Sequence, residues 1–243
     1  MTGPVRNVQK VQKQQLVQTE GLGRFTRWLF EQSAPFVTGT VWEAGCGIGT
    51  YTRHLIAAGC ARVIATDYDE DLLVAAREAF AGLDQVRVMR LDLSRGSEFE
   101  KLRGERIGTI VCFNVLEHIE DDRMVLRRMR EQLTGDGHLV LLVPAHPILF
   151  NGIDRSVHHV RRYTASELRR KLTEAGFHVR RLYYFNALAL VGWFVYGHVL
   201  RRRQVSETPA KFFDRLVPAL RWTERFVLRG RVGISLIAIG RPR

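Results

Sequence analysis

Residues 43–49, Glu43-Ala44-Gly45-Cys46-Gly47-Ile48-Gly49, set a carboxylate ahead of three alternating glycines. The apolar run 40–44 precedes the glycines and a helical pattern starts at Thr50. The segment therefore reads as a strand, a tight turn and a helix N-terminus. Glycine accepts positive φ and puts no Cβ in the way of a ligand. The helix start behind it offers unsatisfied N–H groups and the positive end of a dipole, which suits the anionic end of a ligand. The third glycine comes one residue too early for the G-x-G-x-x-G dinucleotide fingerprint, with Thr50 in its place, and no Lys-Ser/Thr pair follows to make a P-loop. A second carboxylate, Asp67, closes the apolar run 62–67, 24 residues after Glu43. At the end of a second strand it can accept both hydroxyls of a ribose, and it would repel the extra phosphate of NADP.

A second group of reactive side chains lies between residues 144 and 163: His146, then His158, His159, Arg161, Arg162 and Tyr163. These types supply a base, an anion anchor and a hydrogen-bond donor. Adjacent histidines without a neighbouring carboxylate cluster are poor metal ligands, and Cys46, Cys60 and Cys112 form no C-x-x-C pair, so no metal site is expected. Thr164-Ala165-Ser166-Glu167 is a capping box for the helix that follows.

The elements that must position these residues follow from the apolar pattern. Strands are expected at 40–44, 62–67, 86–90, 107–113, 138–143, 177–184 and 233–240, and helices at 24–32, 50–58, after Asp69, after Asp121 and after Thr164. Gly135 and Gly137 are expected to end the helix before strand five. The stretch 144–163 reads as a long loop of little structure, and Pro218 as a kink in an amphipathic helix over 211–227. Strands alternating with helices make a parallel, doubly wound sheet. Ligands bind at the carboxyl ends of its strands, where Glu43, Asp67 and Asp92 all fall.

Glu43 to Gly49 in the form acid-x-G-x-G-x-G, with Asp67, Asp92 and Asn114-Val115-Leu116-Glu117-His118, resembles the class I S-adenosylmethionine (SAM)-dependent methyltransferases. The likeness covers roughly residues 36–184 and the final strand. It implies an α/β Rossmann-like sheet of seven strands in the order 3-2-1-4-5-7-6, the last antiparallel. One domain is implied, with an N-terminal helical cap (1–38), a SAM-binding core (39–184), a helical insertion (185–230) and the last strand (231–243). SAM is the implied cofactor. The resemblance puts Glu43 beneath the loop of Gly45, Cys46, Gly47 and Gly49, Asp67 with Tyr68 at the ribose, and Asp92 and Leu93 at the adenine. Asn114 and Val115 fall near the methionine part. The implied reaction is displacement on the sulfonium methyl. An oxygen acceptor needs a base, with His159, His118, His146 and Tyr163 as candidates; a nitrogen acceptor needs only to arrive neutral. His118 has the alternative of orienting its loop. Arg161, Arg162 and Tyr163 are the acceptor-binding candidates. The His159-Val160-Arg161-Arg162-Tyr163 stretch resembles a subgroup found beside sugar-transfer and natural-product pathways.

The expected partner is a small-molecule acceptor. The chain has 243 residues and a net charge of +12 from 37 basic and 25 acidic residues, but only five of the basic residues are lysines. No basic patch interleaved with aromatics accompanies the charge, which argues against nucleic acid. Residues 182–200 carry no formal charge and are followed by three arginines, so peripheral contact with a membrane, and a lipid-linked acceptor there, is the alternative. Three scattered cysteines and an N-terminus without an apolar signal core lead to the expectation of a cytoplasmic protein.

Overall fold

In the computed structural model, which describes residues 21–194 and 207–243, the apolar runs pair into one seven-stranded sheet of order β3-β2-β1-β4-β5-β7-β6. β1 (Thr40–Ala44), β2 (Val63–Asp67), β3 (Val86–Arg90), β4 (Ile107–Phe113) and β5 (Leu133–Pro144) pair in parallel. β7 (Ser235–Pro242) runs antiparallel between β5 and β6 (Phe177–Phe185). Successive side chains leave a strand on opposite faces, so neighbouring residues feed two cores. Val41, Val63, Val111 and Val140 enter one, with Trp28 and Leu29; Trp42, Ile64, Ile110 and Leu141 enter the other, with Leu126 and Leu168. Strands covered on both faces read as unbroken apolar runs, which is why β2 and β4 are buried at every position.

The covering helices are α1 (Gly23–Ser33), α2 (Thr50–Ala57), α3 (Glu70–Ala79), α4 (Asp122–Gln132), α5 (Gly152–Ser156), α6 (Ala165–Glu174), α7 (Ala187–Phe194) and α8 (Glu207–Thr223). Asp69, Asp121 and Thr164 cap α3, α4 and α6 by accepting a backbone N–H, each satisfying a donor the helix leaves open. In the insertion between β6 and β7, Asp214 of α8 accepts the Phe25 N–H of α1 at 2.8 Å.

Three expectations are corrected. The helix before β5 ends at Gln132, and Gly135 and Gly137 lie inside β5. A Cβ at Gly137 would stand 2.9 Å from the Gly108 carbonyl oxygen, so this glycine lets β4 and β5 approach. The stretch 144–163 is ordered: a bridge between Ala145 and Tyr163 closes it, and it carries a 3-10 turn (Pro147–Leu149) and α5. In that stretch Asn151 and Asp154 form a reciprocal capping box. The amphipathic helix expected over 211–227 ends earlier: α8 runs through Pro218 to Thr223 and a π turn (Glu224–Leu228) follows, leaving Phe226 53% exposed while Val217 is buried. Expectations for residues 1–20 and for Arg201, Arg202 and Arg203 lie outside the described residues. Among the described residues no helix is long and apolar enough to cross a membrane.

Candidate active site

After Ala44 the backbone turns through φ values of +84° at Gly45, +54° at Gly47 and +87° at Gly49. A Cβ at Gly45 would lie 2.2 Å from the Val115 side chain, and one at Gly49 2.3 Å from the Phe80 ring. The turn is tied to β2: the N–H groups of Gly45 and Cys46 donate to the Thr66 carbonyl oxygen, both at 2.8 Å, and Gly47 N–H donates to Asp67 Oδ2 at 2.8 Å. Asp67 Oδ1 accepts from Asp69 N–H at 3.0 Å. Burial pushes the Asp67 carboxyl up, against the pull of these N–H groups. Glu43 is buried beneath the turn and accepts from the Thr52 hydroxyl of α2. Its Oε1 has no hydrogen-bond partner among the described residues. Burial raises its pKa to about 8, Thr52 opposing and the Asp67 charge adding, so Glu43 holds a proton at neutral pH. No side chain caps the first turn of α2, which leaves its N–H groups for a ligand.

Around this turn, the Cys46 thiol is buried, and burial, with the Glu43 and Asp67 charges, drives its pKa well up. Tyr68 is 52% exposed and Leu93 is buried. Asp92 accepts from Ser94 N–H (3.0 Å) and the Ser94 hydroxyl (2.6 Å) and pairs with Arg95 at 3.3 Å, so it fixes the turn after β3. Asn114, at φ +54°, is exposed at the end of β4.

The acceptor-side candidates form a chain of ion pairs. Asp154 Oδ1 accepts from Arg162 Nε at 2.8 Å and stands 2.9 Å from His159 Nδ1. Burial alone would raise the Asp154 carboxyl, but His159 and Arg162 outweigh it and hold it low. His159 Nε2 stands 3.7 Å from Glu117 Oε1, and its ring meets that of His118 edge-on with centroids 4.8 Å apart. Glu117 is fully buried, and burial raises its pKa to about 7. Burial, with His159 adding, lowers His118 to about 4. Asp122, also buried, accepts from the Tyr163 hydroxyl (2.8 Å) and pairs with Lys171 (2.5 Å) and Arg161 (3.0 Å).

A family model described as a methyltransferase domain matches residues 42–139. A protein of Mycobacterium tuberculosis, named as a probable SAM-dependent methyltransferase, is 33% identical over 152 residues, 61% of this chain and 53% of that protein. The mitochondrial ubiquinone biosynthesis O-methyltransferase of Schizosaccharomyces pombe is 28% identical over 51% of this chain and 45% of its own length. A SAM-dependent methyltransferase from Mesorhizobium loti superposes with a TM-score of 0.59 at 17% identity, covering 89% of this chain and 97% of that one. In its matched domain, its relatives and its fold the chain is similar to the class I SAM-dependent methyltransferases. It spans about half the length of the curated relatives it matches.

The residues present fit the cofactor of that family. The first N–H groups of α2 are left for a ligand, the Asp67 carboxylate closes β2 beside the turn, and a Cβ at Gly45 would collide with Val115. The acceptor-side residues depart further from the expectation. Tyr163 is fully buried with its hydroxyl on Asp122, and Arg162 is 3% exposed, donating to Asp154 and the Ala145 carbonyl. Arg161 is engaged by Asp122 and Glu120. These three side chains hold the 144–163 excursion on the core, since their charges and hydroxyl are met from within. His146 Nε2 lies 2.9 Å from the Gly233 carbonyl and its ring stacks on Tyr184. The neighbouring carboxylates expected to be missing at His159 are present, Glu117 and Asp154 both standing beside it. Glu117, Asp122 and Asp154 were not singled out from the sequence. Their signal was the excess of cationic and imidazole groups at 158–162, which needs carboxylate partners once buried.

Proposed function

We propose that this chain transfers a methyl group from SAM to an oxygen or nitrogen atom of a small-molecule acceptor in a biosynthetic pathway. The reading rests on the turn at residues 43–49, with Asp67 and Asp92 alongside it at the carboxyl ends of β1, β2 and β3. When bound, SAM supplies a methyl group made electrophilic by its sulfonium. Asp67 would receive the ribose hydroxyls, with Tyr68 nearby, and Asp92 and Leu93 would take the adenine. Asn114 and Val115 border the methionine end. Glu43 keeps the turn in shape through Thr52. The chain's remaining task is to align the acceptor atom and exclude water. A hydroxyl acceptor must also lose its proton, for which the imidazoles of His118, His146 and His159 are the candidates. The O-methyltransferase among the relatives supports a small-molecule acceptor. Three buried free cysteines are in keeping with a cytoplasmic setting.

Calorimetric titration with SAM tests the reading: wild type should bind, and Asp67→Ala should bind at least about tenfold more weakly, since a charge-assisted hydrogen-bonding group is lost. Equal affinity would sink it. Incubation with SAM and candidate acceptors, read by mass spectrometry for the gain of one methyl, then identifies the acceptor. A second reading, an acceptor embedded in a membrane surface, draws support from Trp222, Phe226 and Val227. They are 62%, 53% and 60% exposed, beside exposed Arg229 and Arg231. Flotation with anionic vesicles decides it; protein left wholly in the unbound fraction counts against the membrane reading.

A further inference from the structure

We propose that Glu117, His118 and His159 bind a divalent first-row transition ion of the zinc type. One donor atom from each lies within 4.8 Å of the others. Glu117 is fully buried, and neither carboxylate oxygen has a hydrogen-bond partner among the described residues. A buried carboxylate without a partner is costly. The nearest group of opposite capacity is His159 Nε2, 3.7 Å from Glu117 Oε1. That separation is too long for a hydrogen bond. It suits two ligand atoms that each stand about 2.0–2.2 Å from a shared zinc ion.

The outer contacts point the same way. His159 Nδ1 faces Asp154 Oδ1 at 2.9 Å, the carboxylate–histidine arrangement that orients metal-bound imidazoles. With the Nδ1 proton directed at Asp154, the Nε2 lone pair points to the Glu117 oxygens, so lone pairs face each other unless a metal ion or a proton lies between. Asp154 is already answered by Arg162 and by the Asn151 N–H, whereas Glu117 has no direct counterpart. His118 brings a second imidazole, edge-on to the first, and a neutral ring is the ligating form. Two imidazoles and one carboxylate leave a fourth position open. The adjacent His158 is exposed and stands outside the cluster. The three ligands are thus assembled across the fold, two from the turn after β4 and one from the 144–163 excursion, and the ion would clamp these segments together. Glu117, His118 and His159 would hold the ion, which would leave its open position to water and lower the pKa of that water.

The full chain, stripped with a chelator and dialysed, is titrated with Zn2+ by calorimetry and with Co2+ by visible absorption. One ion per chain is expected. Glu117→Gln and His159→Gln should each weaken binding by more than about 100-fold and Asp154→Asn by about 10- to 100-fold, while His158→Gln binds as wild type. Circular dichroism establishes that each variant is folded; should Glu117→Gln not fold, Asp154→Asn and the wild-type stoichiometry carry the test. Absence of saturable binding by wild type overturns the proposal and leaves a shared proton between Glu117 and His159. Binding to a folded Glu117→Gln variant as tight as wild type overturns it also. A chain that binds zinc but not SAM would leave this site standing and remove the methyl-transfer reading.

Discussion

Glu43 keeps its loop in place while carrying no charge at neutral pH. Its carboxyl titrates near 4.5 when solvated and at about 8 in the fold, chiefly through burial. The folded state therefore holds a proton that the unfolded chain has lost across this window. Stability is highest below the solvated value, declines as pH rises, and levels off above about 8, at a slope of up to about 1.4 kcal/mol per pH unit. Glu43→Gln removes that titration. The difference in urea-unfolding free energy between variant and wild type should shift in the variant's favour from about pH 5 to about pH 8; a constant difference would show that Glu43 is ionised in the fold. Asp122 is the opposite case, a buried carboxylate that answers Lys171, Arg161 and Tyr163. Asp122→Ala strands a buried lysine and should cost about 3–5 kcal/mol. Tyr163→Phe deletes one donor and should cost about 1–3 kcal/mol, with SAM affinity unchanged. A Tyr163→Phe protein of full stability that had lost methyl transfer would return Tyr163 to the acceptor site.

At the scale of elements, the turn from β1 into α2 depends on Gly49, whose φ of +87° and contact with the Phe80 ring exclude a side chain. Gly49→Ala should lose about 1–3 kcal/mol and weaken SAM binding, because the first N–H groups of α2 move with the turn; an unchanged melting temperature would contradict this. β1, β2 and β4 were legible in the sequence because burial on both faces writes itself as a continuous apolar run. So was the glycine turn, because only glycine suits its backbone. The first half of β5 was not. Thr134-Gly135-Asp136-Gly137 has the composition of a turn, and it is extended because β4 pairs with it and Gly108 approaches Gly137. The polar excursion at 144–163 was legible as a segment leaving the carboxyl end of β5. The fate of its charges was not, because Glu117 and Asp122 reach His159, Arg161 and Tyr163 from another part of the chain, and that choice of partners is made only by tertiary packing.

At the scale of the molecule, the recognisable methyltransferase segment ends inside β5, at residue 139, yet the sheet depends on what comes last in the chain. β7 lies between β5 and β6, and Leu236, Ile237, Ala238 and Ile239 are fully buried there, feeding both cores. Burying the three large side chains stabilises the fold by roughly 5–9 kcal/mol, comparable with the roughly 5–15 kcal/mol of net stability typical of a whole domain. Without β7, β5 loses one of its two neighbouring strands and β6 its one neighbour, and β6 with α6 has no sheet to join. A chain ending at Arg231 retains Glu43, the glycine turn, Asp67, Asp92 and the Glu117 cluster. It should nevertheless show no cooperative thermal transition by calorimetry and no stabilisation by SAM. A cooperative transition near that of the full chain, with SAM still raising it, would mean that the first five strands form the cofactor-binding unit without the C-terminal strand pair.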